Sequence, residues 1–247
     1  AVQQQGLETV KSKLWNPIKD LTFGGRLFSE SMIPFETTQG RYASTDYKGW
    51  KLRSVKPARE HHIKVVMHTD HSPSESQWLK GLKDIEQEVI KNGGNARKRT
   101  LQWWDEYWNR SYIFIDNETP DSQNEKWQVG RNYQVFRYQL GCNAYGKYPS
   151  KFNGGLFCTD PEYVDKNLTY SPDFRKWGGG SFTAQNQRLV YWPMLKSGDI
   201  DMMTPQFEFY NNLLANTELR TLHYWGHRGA CFTEQIENFG LPVGFEY

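Results

Sequence analysis

The chain has 247 residues and a formal net charge of +2, and its 30 basic and 28 acidic side chains are interspersed. This balance offers no basic surface for nucleic acid or an anionic membrane, and no apolar run approaches the length of a bilayer span, so we expect neither partner. Aromatic residues make up 15% of the chain, which suits both core packing and surfaces that bind sugars.

The first part of the chain is predicted to be rich in β-structure. A short strand that leads into a glycine turn is predicted over 21–25, and further strands are predicted over 47–55 and 62–69. In the last of them Ile63, Val65 and Met67 alternate with more polar positions, which is typical of a half-buried strand. This is too little sheet for a stable sandwich. We therefore interpret this part of the chain as the edge of a β-sandwich or as a few strands packed on a neighbour.

Helices dominate the remainder. A linker helix over 72–95 is predicted to begin at a capping Ser72 before Pro73, with Glu75 completing a capping box, and to end at Asn92-Gly93-Gly94. Further helices are predicted over 96–110, 128–144, 183–193 and 202–224. In the first of these, Trp104 and Trp108 form an aromatic stripe that is typical of a core. Strands followed by helices predict a mainly α fold with an N-terminal β part.

The stretch from 151 to 205 concentrates glycines, amides and aromatic rings. Amides both donate and accept hydrogen bonds, as a neutral polyhydroxylated ligand requires. Aromatic faces suit the C–H faces of sugar rings. The stretch indicates either a carbohydrate site or a polar loop followed by an ordinary amphipathic helix.

Three motifs resemble one family: WWDEYWNRSYI at 103–113, FNGGLF at 152–157 and DFRKWGGGSFTAQNQRLVYWPMLKSGD at 173–199. They resemble bacterial six-hairpin glycosidases related to glycoside hydrolase family 95, whose founding activity is on α-L-fucosides. A less characterised bacterial branch of that clan also has a counterpart of GHRGACFTEQIENFG.

The resemblance implies an architecture and an activity. It implies the end of a β super-sandwich domain at 1–71, a linker helix at 72–95 and the first part of an (α/α)6 barrel at 96–247. It implies a secreted or periplasmic glycoside hydrolase that acts on a glycan or oligosaccharide, fucosides included, without a cofactor. Because the chain spans about half of such a barrel, we expect a fragment, or a chain that a further segment or chain completes.

The resemblance also assigns residues. In the fucosidases two asparagines before an N-Y-W-P run position the attacking water. Asn186 matches the second asparagine, whereas Ala184 stands in place of the first. This departure weakens the transfer of the fucosidase mechanism.

Glycoside hydrolysis uses two carboxyl groups. The acids on the predicted loops are Asp173, Asp199, Asp201, Glu234 and Glu237. We favour Glu234 as the acid because it lies in a Gly-bounded aromatic loop, the alternative being a surface or helix-capping glutamate. Asp199 has the alternative of capping the long helix.

Several other residues are predicted to bind sugar. They are Asn153, Trp177, Gln185, Arg188, Trp192 and His227. The alternatives are loop-stabilising hydrogen bonds for Gln185, Asn186 and Arg188, a left-handed turn for Asn153 and a core position for Trp192.

No metal site is expected. His223 and His227 are four residues apart, which permits a shared helical face, but the sequence offers no convincing third ligand. The three cysteines lack a CxxC spacing, so we expect either one bridge with a free thiol or three buried thiols. The sequence thus leaves two functions: a glycoside hydrolase, or a non-catalytic glycan-binding or structural protein on the same scaffold.

Overall fold

The structure, a computed structural model, describes residues 2–43, 45–118, 120–152, 156–158, 161–163, 167 and 181–243. Its elements are β1 (Leu21–Phe28), β2 (Met32–Tyr42), β3 (Thr45–Ser54), β4 (Lys64–His71), α1 (Glu75–Arg110), α2 (Glu125–Cys142), β5 (Phe182–Thr183), α3 (Ala184–Ser197), α4 (Thr204–Trp225) and β6 (Gln235–Ile236). Short 3-10 helices lie at Glu8–Lys13, Pro161–Tyr163 and Ile200–Met203. The predicted class, mainly α with an N-terminal β part, is confirmed.

The chain divides into two compact units. One unit, called here the β unit, comprises 18–101 and 160–172. The other, the helical unit, comprises 1–17, 102–159 and 173–247.

The β unit contains two separate two-stranded antiparallel sheets. β1 pairs with β4, and β2 pairs with β3. The three predicted strands are confirmed with shifted ends, whereas β2 was not predicted. The glycine turn predicted at the end of the first strand is wrong, because β1 continues through Gly24 and Gly25 and pairs there with β4. Pro34 and Gly40 lie within β2, and both residue types weaken the sequence signal for a strand. The pairing accommodates the proline by a register shift between Pro34 and Glu36.

The buried face of β4 is the opposite of the predicted one. Val66 is 4% exposed and packs with Trp78 and Leu82 of α1, whereas Val65 and Met67 are 59% and 70% exposed. The indole of Trp78 decides this, because it covers Gly24 on β1 and stacks on His68 at 5.6 Å. Successive strand residues point to opposite faces, so packing against α1 buries Val66 and exposes its neighbours.

Helix α1 is continuous, and the predicted break at Asn92-Gly93-Gly94 is wrong. It runs from Glu75 to Arg110, and neither glycine has a positive φ. An interior glycine costs a helix only about 1 kcal/mol relative to alanine, which good helix formers on both sides offset. The residue that caps α1 lies two positions later than predicted: the Gln77 N–H donates to Ser74 Oγ at 3.3 Å, while Ser72 Oγ donates to Asp70.

The core of the helical unit joins α2, α3 and the 3-10 helix Ile200–Met203 to the end of α1. Its buried members include Tyr107, Leu140, Val190, Tyr191, Met194 and Met202. Trp104 and Trp108 pack against this cluster, so the predicted assignment of the aromatic stripe to the core is confirmed. The Tyr107 hydroxyl donates to the Arg137 carbonyl at 2.6 Å, and burial raises the pKa of Tyr107 to about 12.

A buried ion pair lies within this unit. Arg137 and Asp199 are 2% and 1% exposed. Arg137 Nη2 donates to the two Asp199 oxygens at 3.0 and 2.9 Å, and Ser197 Oγ donates at 2.5 Å. Asp199 makes no side-chain capping bond, so its interpretation as a helix cap is wrong. These contacts give Asp199 a structural role.

Asp201 lies in a neighbouring, more exposed ion pair. Arg110 donates to both of its carboxylate oxygens, at 2.6 and 3.2 Å, and Tyr145 donates to one. Partial burial opposes ionisation of Asp201, but the hydrogen bonds from Arg110 and Tyr145 outweigh it and hold its pKa below the usual value. This carboxylate is therefore occupied by two donors.

The N-terminal segment 2–17 is fastened to α4 by buried amides. The fully buried Asn216 accepts from Trp15 N at 2.7 Å and donates to Trp15 O and Phe239 O, each at 2.9 Å. Gln5 accepts from Arg220 Nε at 3.0 Å and donates to Pro242 O at 3.2 Å. These bonds join three distant parts of the chain.

The described residues show the state of the three cysteines and the character of the helices. Where the chain is described, Cys142, Cys158 and Cys231 are exposed and form no disulfide with one another, so the structure shows neither a bridge nor three buried thiols. Across the described ranges, no helix combines the length and apolar character needed to span a membrane.

Candidate functional site

A pocket of about 420 Å³ lies in the helical unit between α3, α4 and the segment 232–234. One wall is a single face of α3, formed by Ala184, Gln187, Arg188, Tyr191 and Trp192. These positions follow the three- and four-residue steps that place side chains on one side of a helix. The spacing of these residues in the sequence is therefore enough to predict that they share one face of α3.

Helix α3 is longer than predicted. It continues through Pro193 to Ser197 and ends at Gly198, whose φ of 78° is left-handed. The predicted end at Pro193 is wrong because the buried Val190 and Met194 hold the turns on both sides of the proline. Proline costs a helix interior about 3 kcal/mol, which this burial offsets.

The other walls come from distant parts of the sequence. Gln206 and Tyr210 lie one turn apart on α4, and Phe232, Thr233 and Glu234 complete the lining. The two-stranded pairing of β5 with β6 brings the last segment to the start of α3. Ala184 N donates to the Glu234 carbonyl at 2.8 Å, which fixes the segment there.

Glu234 both lines the pocket and caps α3. Its Oε1 accepts from Gln185 N at 2.8 Å, whereas the side chain of Thr183, the residue before the helix, makes no capping bond. A carboxylate at a helix N-terminus is stabilised by the unpaired N–H groups and the helix dipole. The capping alternative is thus confirmed, and the role of Glu234 as an acid stays a prediction.

Removal of this cap is expected to be measurable. We expect Glu234→Ala to lower the free energy of unfolding by about 1 kcal/mol, and Glu234→Gln to lower it by less, since the amide oxygen can still accept from Gln185. Urea unfolding followed by circular dichroism measures both. An unchanged Glu234→Ala variant would show that the cap contributes nothing to stability.

The inner part of the pocket is polar. The Tyr210 hydroxyl donates to Gln187 Oε1 at 2.7 Å. Burial, followed by the charge of Glu234, raises the pKa of Tyr210 to about 12, so the phenol stays protonated at neutral pH. Gln187 is 2% exposed. Within the described residues, its Nε2 and the Oε1 of Gln206 lack hydrogen-bond partners.

These two amide groups give the wall unused hydrogen-bonding capacity. A buried polar atom without a partner costs about 1–3 kcal/mol. Gln187 presents a donor and Gln206 an acceptor. A hydroxyl group, which is both donor and acceptor, has the chemistry to satisfy them.

The outer part of the pocket is aromatic. Trp192 is 62% exposed, so its assignment to the core is wrong. The guanidinium carbon of Arg188 lies 5.7 Å from the centre of the Trp192 ring. These two residues are one turn apart on α3, which places the cation over the ring.

The predicted site residues are only partly brought together. Glu234, Arg188 and Trp192 line the pocket, whereas Gln185 and Asn186 lie outside its lining. Gln185 contributes its backbone N–H to the cap. The remaining predictions at Asn153, Trp177 and Asp173 fall outside the described residues.

The two histidines do not share a helical face. Helix α4 ends at Trp225, so His227 lies beyond it. His223 Nε2 is 3.0 Å from the Gly6 carbonyl, and His227 Nδ1 is 2.9 Å from the Arg228 carbonyl. Where the chain is described, no group of three or more His, Cys, Asp or Glu side chains is arranged to hold a metal ion.

Sequence reasoning missed Gln206 and Tyr210 as site residues. Neither residue is among the site candidates that the sequence analysis names. Their spacing of four residues places them on one face of α4. Which face meets α3 is set by tertiary packing, so the sequence offered no direct signal.

Comparison with known proteins gives one family match. A family model described as a domain of unknown function (DUF5703) matches residues 1–113. The matched range covers β1 to β4 and α1, and it ends before the residues that line the pocket. Comparisons with curated proteins and with solved structures gave no match.

Proposed function

We propose that the chain is carbohydrate-active and that the pocket between α3 and α4 binds a saccharide unit of a glycan. The composition of the lining carries the proposal: the exposed Trp192 ring stands beside the amides Gln187 and Gln206 and the Tyr210 phenol. The volume of about 420 Å³ falls within the ordinary range of small-molecule sites, roughly 300–1,000 Å³.

Aromatic and amide side chains serve different parts of such a ligand. An indole face packs on the apolar C–H face of a sugar ring, while amides and phenols pair with its hydroxyl groups. Among the described residues, Gln187 Nε2 and Gln206 Oε1 are buried and have no hydrogen-bond partner, and a sugar hydroxyl group that reached them would supply one. The same lining offers little to a wholly apolar ligand.

Replacement of Trp192 tests this proposal. We expect Trp192→Ala to weaken binding of an oligosaccharide by about tenfold or more, a loss of ~1.4 kcal/mol, because the ring loses its stacking surface. Isothermal titration with a panel of neutral and acidic oligosaccharides measures the affinity.

Trp50 supplies the matched control. It is 72% exposed, against 62% for Trp192, and it lies on β3 outside the pocket lining. Trp50→Ala should therefore bind as the wild type does. The proposal fails if no oligosaccharide binds the folded protein, or if both tryptophan variants bind equally well.

Binding without hydrolysis is favoured by the carboxyl groups. Hydrolysis normally requires two of them roughly 5–10 Å apart at one site. Glu234 supplies the carboxyl group in the described lining, and its Oε1 is held by Gln185 N. Asp199 and Asp201 are engaged by Arg137 and Arg110.

Glycoside hydrolysis is the second candidate. The position of Glu234 at the pocket favours it, with Glu234 as the acid. Release of reducing sugar by the wild type, together with its loss in a folded Glu234→Gln variant, would support this function. Equal release by both proteins would remove Glu234 from the mechanism.

We also propose that α3 and α4 form one hairpin of an (α/α)6 barrel like that of the six-hairpin glycosidases. Two observations support it: the helices are consecutive, joined through residues 198–203, and they line one pocket. An experimental structure of the natural gene product would test the barrel. A ring of alternating helices around this pocket would support it, and any other arrangement would contradict it.

A further inference from the structure

We propose that the saccharide unit taken by this pocket is acidic and that Arg188 selects its carboxylate. This inference rests on the proposed glycan-binding function and names the class of sugar, a uronic acid. It begins from the charges in the lining, where Arg188 is the cation and Glu234 the anion.

The two charges are used differently. Glu234 Oε1 accepts from the first turn of α3 through Gln185 N at 2.8 Å, so its charge already has a structural partner. Within the described part of the chain, no carboxylate lies within ion-pair distance of Arg188. The guanidinium therefore has donors available for a ligand.

Trp192 holds this guanidinium at the pocket. The Arg188 Cζ lies 5.7 Å from the ring centre, a contact that stabilises a cation without using its N–H donors. An arginine oriented in this way loses less conformational freedom when a ligand binds. The contact thus prepares the cation for an anionic partner.

A planar carboxylate is a suitable partner for the Arg188 guanidinium. Guanidinium and carboxylate groups form two parallel hydrogen bonds, and such bonds are stronger than those between neutral groups. The polar wall formed by Gln187 and Tyr210 remains available for the hydroxyl groups of the same sugar. A uronic acid carries both kinds of group on one ring.

The test compares acidic oligosaccharides with their own neutral forms. The probes are oligosaccharides of galacturonic, glucuronic and mannuronic acid, each paired with the product in which its carboxylates are reduced to hydroxymethyl groups. Isothermal titration at ~0.15 M salt suppresses long-range attraction. We expect the wild type to bind at least one acidic form about tenfold or more tightly than its reduced partner.

Two arginine variants test whether Arg188 causes the preference for acidic over reduced oligosaccharides. Arg188→Gln should bind both forms with the affinity of the reduced one. Arg131→Gln is the matched control, because Arg131 also lies over an indole, that of Trp127 at 6.0 Å, and is outside the pocket lining. It should retain the wild-type preference, and unfolding curves should be unchanged for both variants.

The outcomes separate this inference from the proposed function. Equal binding of acidic and reduced forms overturns the acidic assignment and leaves the glycan-binding function standing. A preference that persists in Arg188→Gln overturns the role of Arg188. A sulfated form of each reduced oligosaccharide is titrated alongside, and tighter binding of that form than of the carboxylated one overturns the choice of a carboxylate. Absence of binding to every form by folded protein overturns both proposals.

Discussion

Replacement of Asp199 by asparagine is expected to lower the free energy of unfolding by about 3–5 kcal/mol, because it leaves a buried guanidinium without its counter-charge. Arg137 and Asp199 are 2% and 1% exposed, and Arg137 Nη2 donates to both Asp199 oxygens at 3.0 and 2.9 Å. Asparagine preserves the shape of the side chain, so the loss reports charge rather than a cavity. Urea unfolding followed by circular dichroism and tryptophan fluorescence gives the value.

An exposed pair provides the control for this experiment. Lys80 and Asp84 lie 3.0 Å apart on α1 with side chains 77% and 57% exposed. Asp84→Asn should cost less than about 1 kcal/mol, because water already solvates both charges. A similar loss in the two variants would contradict the importance of burial.

A double variant keeps the test valid if Asp199→Asn does not fold. Replacing both partners, as in Arg137→Met with Asp199→Leu, removes both charges, so no buried charge is left unpaired. Such replacements are often neutral or stabilising. We therefore expect the double variant to be more stable than Asp199→Asn. If the double variant were less stable than Asp199→Asn, the loss of stability would come from neighbouring groups and not from the ion pair.

The second large effect is expected at Asn216. Asn216→Ala should lower the free energy of unfolding by about 3 kcal/mol, since it leaves three backbone groups without partners at about 1 kcal/mol or more each. These groups are Trp15 N, Trp15 O and Phe239 O. Because Asn216 fastens segment 2–17 to α4, its loss should also speed proteolysis of that segment.

Asn212 gives the matched control for this substitution. It lies on the same helix and is exposed. Asn212→Ala should change the free energy of unfolding by less than about 0.5 kcal/mol. Limited proteolysis and urea unfolding measure the two variants in parallel. Equal stability of Asn216→Ala and Asn212→Ala would refute the fastening role.

Local patterns predicted the types of most elements. The repeating apolar positions that predicted helices over 128–144 and 202–224 correspond to α2 and α4. Alternation predicted a strand at 62–69, which corresponds to β4. The same pattern chose the wrong buried face, because the apolar surface of Trp78 packs on Val66. Alternation shows that a strand has two faces, and only its neighbour decides which is covered.

Glycine and proline residues were weak indicators of where the helices end. Gly93 and Gly94 lie inside α1, and Pro193 lies inside α3. Each lowers helix stability by a few kcal/mol at most. The long flanking helical sequence or the burial of Val190 and Met194 outweighs that loss. A glycine or proline therefore does not by itself predict where a helix ends, because the contacts around it decide whether the loss of helix stability is offset.

The sequence by itself determined the class of fold, the helical face that forms one wall of the pocket and the chemistry of Glu234, Arg188 and Trp192. Tertiary structure decided which of these groups meet. Glu234 reaches Gln185 across a separation of 49 residues, and Tyr210 reaches Gln187 across 23. Periodicity records which way a side chain points from its own element. The partner at the other end of a hydrogen bond or ion pair depends on how distant elements pack, because that packing places the two groups within reach.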